Sequence, residues 1–341
     1  LSRPLSPLVH WIGLCATLLA GCGPPPQAPP ADATPALQLA GGVIRHDLRF
    51  PCGSATCAGW LYLPPGVSDA PVVVMGNGFS GTRDVGMPPF AEGFARSGLA
   101  AFAFDYRCFG ASGGSPRQLV DPWMQLDDWR AALDFVRTLD RVDAGRLAIW
   151  GTSMAGGLVL VIGAEDPGVS AIVAQVPAVD GSVEPAGPEV GVGWIVRLLL
   201  TGWADLLRST FAGDALLIPA FAPPGEFGMI VDDVSYADLQ KLPVSGSTYR
   251  NAIAARSFTT FDEYDPAVAW DGIRVPTLVV ASRQDRLAAF EGVENFAAAN
   301  ARVKVETFEG GHFDVYLPPV SDWAVGVEAA FLAEKLGSAR D

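Results

Sequence analysis

The chain has 341 residues, half of them apolar, and a formal net charge of −14 at pH 7. That is enough to bury the core of one large domain or two small ones. The acidic balance, with no basic run, argues against a nucleic-acid partner.

The first residues read as lying outside the fold. Arg3 precedes Val9 to Ala20, a mostly apolar run of about a dozen residues. It is too short to cross a bilayer as a helix but matches the core of a signal peptide. It ends in Leu19-Ala20-Gly21-Cys22, which resembles the lipobox of bacterial lipoproteins. The resemblance implies removal of residues 1–21 and a lipid on Cys22, which would hold the chain at a membrane of the bacterial cell envelope, on its extracytoplasmic side. A plain secretory signal or a short anchor is the competing reading. Residues 22–41 carry Pro24, Pro25, Pro26, Pro29, Pro30 and Pro35 and read as a semi-rigid tether. The folded domain is expected over 42–341.

Outside the cytoplasm, Cys52 and Cys57 can form a disulfide that closes a small turn. Zinc is the rival reading, but no second ligand pair has suitable spacing, so no metal is expected.

Val43 to Phe50 alternates, and Trp60 to Leu63 follows it as the second strand of an antiparallel pair. Apolar runs at Val72 to Met75, Leu99 to Phe104, Leu147 to Trp150, Ala171 to Ala174, Thr277 to Ala281 and Val303 to Phe308 read as strands. Helical stretches lie between and after them: Phe90 to Ser97, Met124 to Thr138, Met154 to Ala164, Phe290 to Asn300 and Trp323 to Leu336. The alternation predicts an α/β fold, a mostly parallel sheet with helices on both faces. It breaks between about Asp180 and Pro266. There Val192 to Phe211 is apolar around much of its circumference, with a polar stripe at Arg197, Thr201, Asp205 and Arg208. The expectation is a mainly helical cap inserted at about 180–266, with Trp194 and Trp203 buried in it rather than touching a membrane.

The chemistry centres on Gly151-Thr152-Ser153-Met154-Ala155, between a strand and a helix. A serine at such a sharp turn stands clear of the backbone as a nucleophile, provided its neighbours are small. The usual pattern is G-x-S-x-G, and here the last position is Ala155. Of three histidines, His10 falls in the signal segment and His46 in the first strand. His312 sits in Gly310-Gly311-His312-Phe313-Asp314, after the last strand, where active sites of open α/β sheets lie. Asp285 follows the preceding strand and is the expected acid, with Asp180 and Asp314 as rivals. The chain order serine, acid, histidine is that of an α/β-hydrolase triad. The backbone N–H groups of Met154 and Phe79 are expected to hold an oxyanion. Gly76, Gly78 and Gly81, with Asp105 downstream, also spell a dinucleotide fingerprint. Two strands precede it, however, and Pro88-Pro89 leaves no helix N-terminus ready for a pyrophosphate.

Three segments carry a family resemblance: Asp105 to Gly114, Trp150-Gly151-Thr152-Ser153 and Gly310-Gly311-His312-Phe313. They resemble α/β-hydrolases of the branch with polyketide transferases, dienelactone hydrolases and Xaa-Pro dipeptidyl-peptidases. The resemblance implies the α/β-hydrolase fold, a scaffolding loop at 105–114, and acyl transfer from Ser153 to water or another acceptor. It implies no cofactor. The expected activity is cleavage of a small-molecule acyl ester. An acyltransferase or an Xaa-Pro-type peptidase with the same triad is the alternative, and a non-catalytic envelope binding protein is the alternative of another class.

Overall fold

The structure is a computed structural model that describes residues 36–181, 191–212, 214–261 and 264–337. In chain order the elements begin with β1 (Leu37–Gln38), β2 (Ile44–Cys52), β3 (Ala55–Leu63), β4 (Ala70–Gly76), α1 (Pro88–Arg96), β5 (Ala100–Phe104), α2 (Pro122–Val136), β6 (Val142–Thr152), α3 (Met154–Glu165) and β7 (Val169–Gln175). Then come α4 (Val192–Ala212), β8 (Leu217–Ile218), β9 (Phe221–Ala222), β10 (Ile230–Val231), α5 (Asp233–Leu239) and β11 (Ile253–Ala254). The chain closes with β12 (Thr277–Ser282), α6 (Phe290–Ala299), β13 (Val303–Phe308) and α7 (Val320–Leu336).

Nine strands form one sheet in the order β1-β2-β3-β5-β4-β6-β7-β12-β13. The first four in that order pair antiparallel. From β5 onward every pairing is parallel. The apolar runs of β4, β5 and β12 are buried along their whole length, as strands covered on both faces must be. Helices α1 and α7 pack together on one face, and α2 and α3 on the other. β6 begins five residues before the expected Leu147. Its early part, Asp143-Ala144-Gly145, reads as a turn, and the Gly145 N–H does bond the Asp143 carboxylate at 3.0 Å. The register shift opposite Pro71 and Val72 absorbs this irregularity. The Cys52 and Cys57 sulfurs are bonded, Cα to Cα 5.8 Å, across the β2–β3 hairpin.

Between β7 and β12 the chain leaves the sheet. Helices α4 and α5 are joined there by two-residue strand pairs, β9 with β10 and β8 with β11. Helix α4 lies against residues 255–259. Gly202 permits the contact, since a Cβ there would fall 2.0 Å from the Phe258 ring. The expected polar stripe of α4 divides. Asp205 is fully buried; its carboxylate takes the Arg256 guanidinium at 2.7 and 2.9 Å and the Leu216 and Arg256 amides at 2.6 and 3.0 Å. Arg197 and Arg208 are exposed. Trp194 is half-buried, with its indole N–H on the Gly228 carbonyl. Trp203 faces outward, 55% exposed, against the expectation of burial, because the inward side of α4 is taken by Leu198, Gly202 and Asp205.

Candidate active site

Ser153 occupies the one-residue turn between β6 and α3, with φ 57° and ψ −123°. A non-glycine residue with positive φ is strained and needs strong fixing. The Ser153 N–H donates to the Gln175 carbonyl at 2.8 Å, and its own carbonyl accepts from Gly156 and Ala178. The surroundings admit only small residues. A Cβ on Gly151 would lie 2.2 Å from the Ala155 carbonyl oxygen, one on Gly78 2.6 Å from the Ser153 Cβ, and one on Gly156 2.4 Å from Pro177. Ala155 is itself fully buried, so the departure from G-x-S-x-G is accommodated.

The loop after β12 and the loop after β13 converge on this turn. His312 Nε2 lies 2.9 Å from Ser153 Oγ, and His312 Nδ1 lies 2.7 Å from Asp285 Oδ2. The other Asp285 oxygen accepts the Leu287 and Ala288 amides at 2.8 and 2.9 Å. The Ser282 hydroxyl donates to the Gly310 carbonyl, joining the two loops. His312 and Asp285 side chains are almost fully buried, so the imidazole is held from one side and open toward the serine. The rival acids lie elsewhere. Asp314 accepts the Gly311 N–H at 2.7 Å and shapes the histidine turn; Asp180 lines a cavity wall. His46 pairs with Arg141, while His10 and Cys22 lie outside the described residues.

Gly76 to Gly81 runs beside Ser153. The Asn77 carboxamide donates to the Thr82 and Val85 carbonyls at 2.7 and 2.8 Å and accepts the Gly78 N–H at 2.8 Å. The Gly81 N–H closes a turn on the Gly78 carbonyl. Among the described residues, the amides of Phe79 and Met154 donate to no protein group. The glycines are thereby accounted for by packing: a Cβ on Gly76 would meet Trp129 and Tyr106 at 2.5 and 2.7 Å. Asp105 is buried, paired with Arg83, and takes the Arg83 and Ala111 amides at 2.7 and 2.9 Å. Burial raises its pKa despite the arginine. It is not free to hold a ribose, and α1 starts only at Pro88. The dinucleotide fingerprint is therefore a packing pattern here. The 105–114 loop is scaffolding: Ser112 Oγ bridges the Asp105 carbonyl and the Ala58 N–H, and Arg107 pairs with the buried Asp128.

Two cavities meet at Phe79 and Ser153. The smaller, about 40 Å³, has His312, Asn77, Tyr249 and Tyr316 in its wall. The larger, about 250 Å³, is walled by Leu198, Phe221, Met229, Ile230, Phe258 and Phe261 from the insertion. Its lining is mainly apolar, which suits an acyl chain. Tyr316 went unnoticed in the sequence. Its hydroxyl lies 2.5 Å from Thr152 Oγ1, which also accepts the Gln175 carboxamide, so it ties the histidine loop to the residue before Ser153. An aromatic residue in an apolar loop gave no signal of this.

The mostly parallel sheet with its flanking helices is the α/β-hydrolase fold, and solved structures agree. An α/β hydrolase from Penicillium, GrgF, superposes with a TM-score of 0.73 at 21% identity, over 86% of this chain and 99% of that one. A family model described as serine aminopeptidase, S33, matches residues 70–315, and the chain belongs to that α/β-hydrolase family. A quorum-quenching protein of Acinetobacter baumannii, AidA, is 33% identical over 84% of this chain and 93% of its own length. A polyketide transferase of Aspergillus fumigatus is 34% identical over 39% of this chain and 45% of its own.

Proposed function

We propose that the chain is a serine hydrolase that cleaves acyl esters through an acyl-enzyme. Ser153 Oγ attacks the carbonyl carbon as His312 Nε2 takes the hydroxyl proton. Asp285 keeps the Nδ1 proton facing it and stabilises the imidazolium. The amides of Phe79 and Met154 donate to the tetrahedral oxyanion, at a stage when charge has moved onto the oxygen. His312 returns its proton to the departing alkoxide, and the acyl group stays on Ser153. A water molecule, deprotonated by His312, then attacks the acyl carbonyl; the bond to Ser153 Oγ breaks, His312 returns the proton to Oγ, and the acid leaves. The observation that carries this reading is the single continuous contact chain from Asp285 through His312 to Ser153, with Ser153 in the wall of an apolar cavity. Labelling with a fluorophosphonate probe tests it: wild type takes the label and Ser153→Ala does not. A folded wild type that stays unlabelled removes the hydrolase reading and leaves the non-catalytic one.

Transfer to an acceptor other than water is the second reading. The two-armed cavity supports it, since one arm can hold the acyl chain while an acceptor enters the other; so does the likeness to a polyketide transferase. Adding alcohol or amine acceptors to a labelled acyl donor separates the two by product.

We further propose that Cys22 carries a lipid that anchors the protein in the bacterial cell envelope. Support comes from Leu19-Ala20-Gly21-Cys22 and the proline-rich run after it. Metabolic palmitate incorporation is expected in wild type and lost in Cys22→Ser.

A further inference from the structure

Helix α4 carries its apolar face on the outside. Val192, Ile195, Val196, Leu199, Leu200, Trp203 and Leu207 are all exposed, Leu200 by 65% and Leu207 by 63%. Their spacing of three and four places them on one stripe, and across residues 192–208 the exposed charges are Arg197 and Arg208 alone. At 100° per residue both arginines fall on the same flank of that stripe. The helix's acid, Asp205, is turned inward onto Arg256. This is the pattern of an interfacial helix: an apolar stripe, an aromatic residue within it, and cations at its border. No helix among the described residues is long and apolar enough to cross a membrane, so α4 would lie on a surface rather than span it.

We propose that the outer face of α4 is a docking surface for a phospholipid bilayer. The seven side chains are each 41–77% exposed. Together they offer several hundred Å², close to the surface of about 800 Å² that each partner of a stable dimer buries, so area does not choose between a bilayer and a second copy. The cationic flank and the tether ending at Cys22 favour the bilayer. The chain's net charge of −14 makes long-range attraction to an anionic surface weak, so the apolar side chains drive the docking. The Arg197 guanidinium lies over the Phe227 ring at 4.1 Å, which leaves Arg208 to reach a lipid phosphate. The proline-rich run between Cys22 and Leu37, if extended, reaches roughly 45 Å, comparable with the width of a domain of this size, about 50 Å. An anchored domain could thus present α4 to the membrane. The docked helix would lie directly over the proposed acyl cavity, because Leu198 on its inner side forms part of that wall. The docking surface does not depend on the hydrolase reading.

The test uses the full chain and vesicles of phosphatidylcholine whose acyl chains are brominated, which quench only tryptophan inserted among them. The wild-type emission is quenched, Trp203→Phe removes most of that quenching, and the effect persists in about 0.5 M salt because apolar contact drives it. Leu200→Glu with Leu207→Glu lowers vesicle binding by at least about tenfold, while circular dichroism and the unfolding midpoint stay as in wild type. Quenching that is unchanged in Trp203→Phe overturns the proposal, since the insertion then occurs elsewhere. Absence of quenching overturns it too. So does a dimer in sedimentation that Leu200→Glu dissociates, because the face is then covered by a second copy.

Discussion

Helices α3 and α4 are both apolar in sequence, and the fold treats them in opposite ways. In α3 the residues from Met154 to Gly163 are all buried, with β6 and β7 on one side and α2 and residues 266–272 around the rest. In α4 the buried positions include Asp205, and the apolar stripe faces out. The difference follows from what surrounds each helix. α3 sits inside a layered fold that covers it on all sides. α4 lies at the rim of an insertion, where a buried ion pair fixes its inner side. Apolar periodicity shows that a helix has a face to hide; it does not name what hides it.

The comparison can be broken or sharpened by substitution. The largest effect belongs to the α3 end. Asp285→Asn should lower turnover by about 10³–10⁴-fold, through the wrong histidine tautomer, while leaving the unfolding midpoint nearly unchanged. Steady-state kinetics with a chromogenic ester, alongside calorimetry, reads both; a drop in stability of the same rank as the drop in rate would make Asp285 structural.

At the α4 end, Asp205→Ala leaves Arg256 buried without its partner and should cost about 3 kcal/mol. The loss should appear first as proteolysis within 192–212 rather than as global unfolding. Burial pushes the Asp205 pKa up, but the Arg256 and amide hydrogen bonds outweigh it and hold the pKa below the ordinary carboxylate value. The stabilisation is therefore full above that ordinary value and disappears as pH falls through the lowered one. Limited proteolysis across an acid series should show α4 opening before the sheet.

A third substitution probes the other face of the sheet. Glu328 is fully buried, accepts the Trp150 indole N–H at 2.7 Å, and is pushed up by burial to about 8. The folded state keeps its proton where the unfolded state has lost it. Stability therefore falls as pH rises from the ordinary value of 4.5 toward 8. Glu328→Gln should raise Tm by roughly 5 °C at pH 8 and hardly at all at pH 5. An equal gain at both pH values would show that ionisation is not the cause.

The smallest effect is expected from Ala155→Gly. It restores the common elbow pattern but adds backbone freedom at the start of α3, so labelling should stay within about twofold while stability drops by about 0.5–1 kcal/mol. A large gain in rate would mean that the Ala155 methyl obstructs the turn.

The sheet and the convergence of Ser153, Asp285 and His312 were legible because short-range rules govern them. Buried parallel strands must be apolar along their length, as β4, β5 and β12 are. A nucleophile turn must be flanked by small residues, as Ser153 is. With so few histidines, His312 stood out by position alone. What escaped depends on contacts between residues far apart in sequence. The Tyr316–Thr152 bond spans 164 residues, and the Asp205–Arg256 pair spans 51. Neither leaves a local pattern. The glycine fingerprint at Gly76, Gly78 and Gly81 was ambiguous in sequence, since close approach to Trp129, Ser153 and Asn77 demands the same residue as a phosphate would.

The central claim is that Ser153 carries the acyl group. Mixing the enzyme with a chromogenic acyl ester, quenching in acid within a turnover and sequencing the peptides by mass spectrometry tests it most directly. The mechanism predicts one acyl adduct, on Ser153, that builds up with the first burst of released alcohol and is absent from Ser153→Ala. Steady ester cleavage by wild type with no adduct on Ser153, or cleavage that persists in Ser153→Ala, would contradict it.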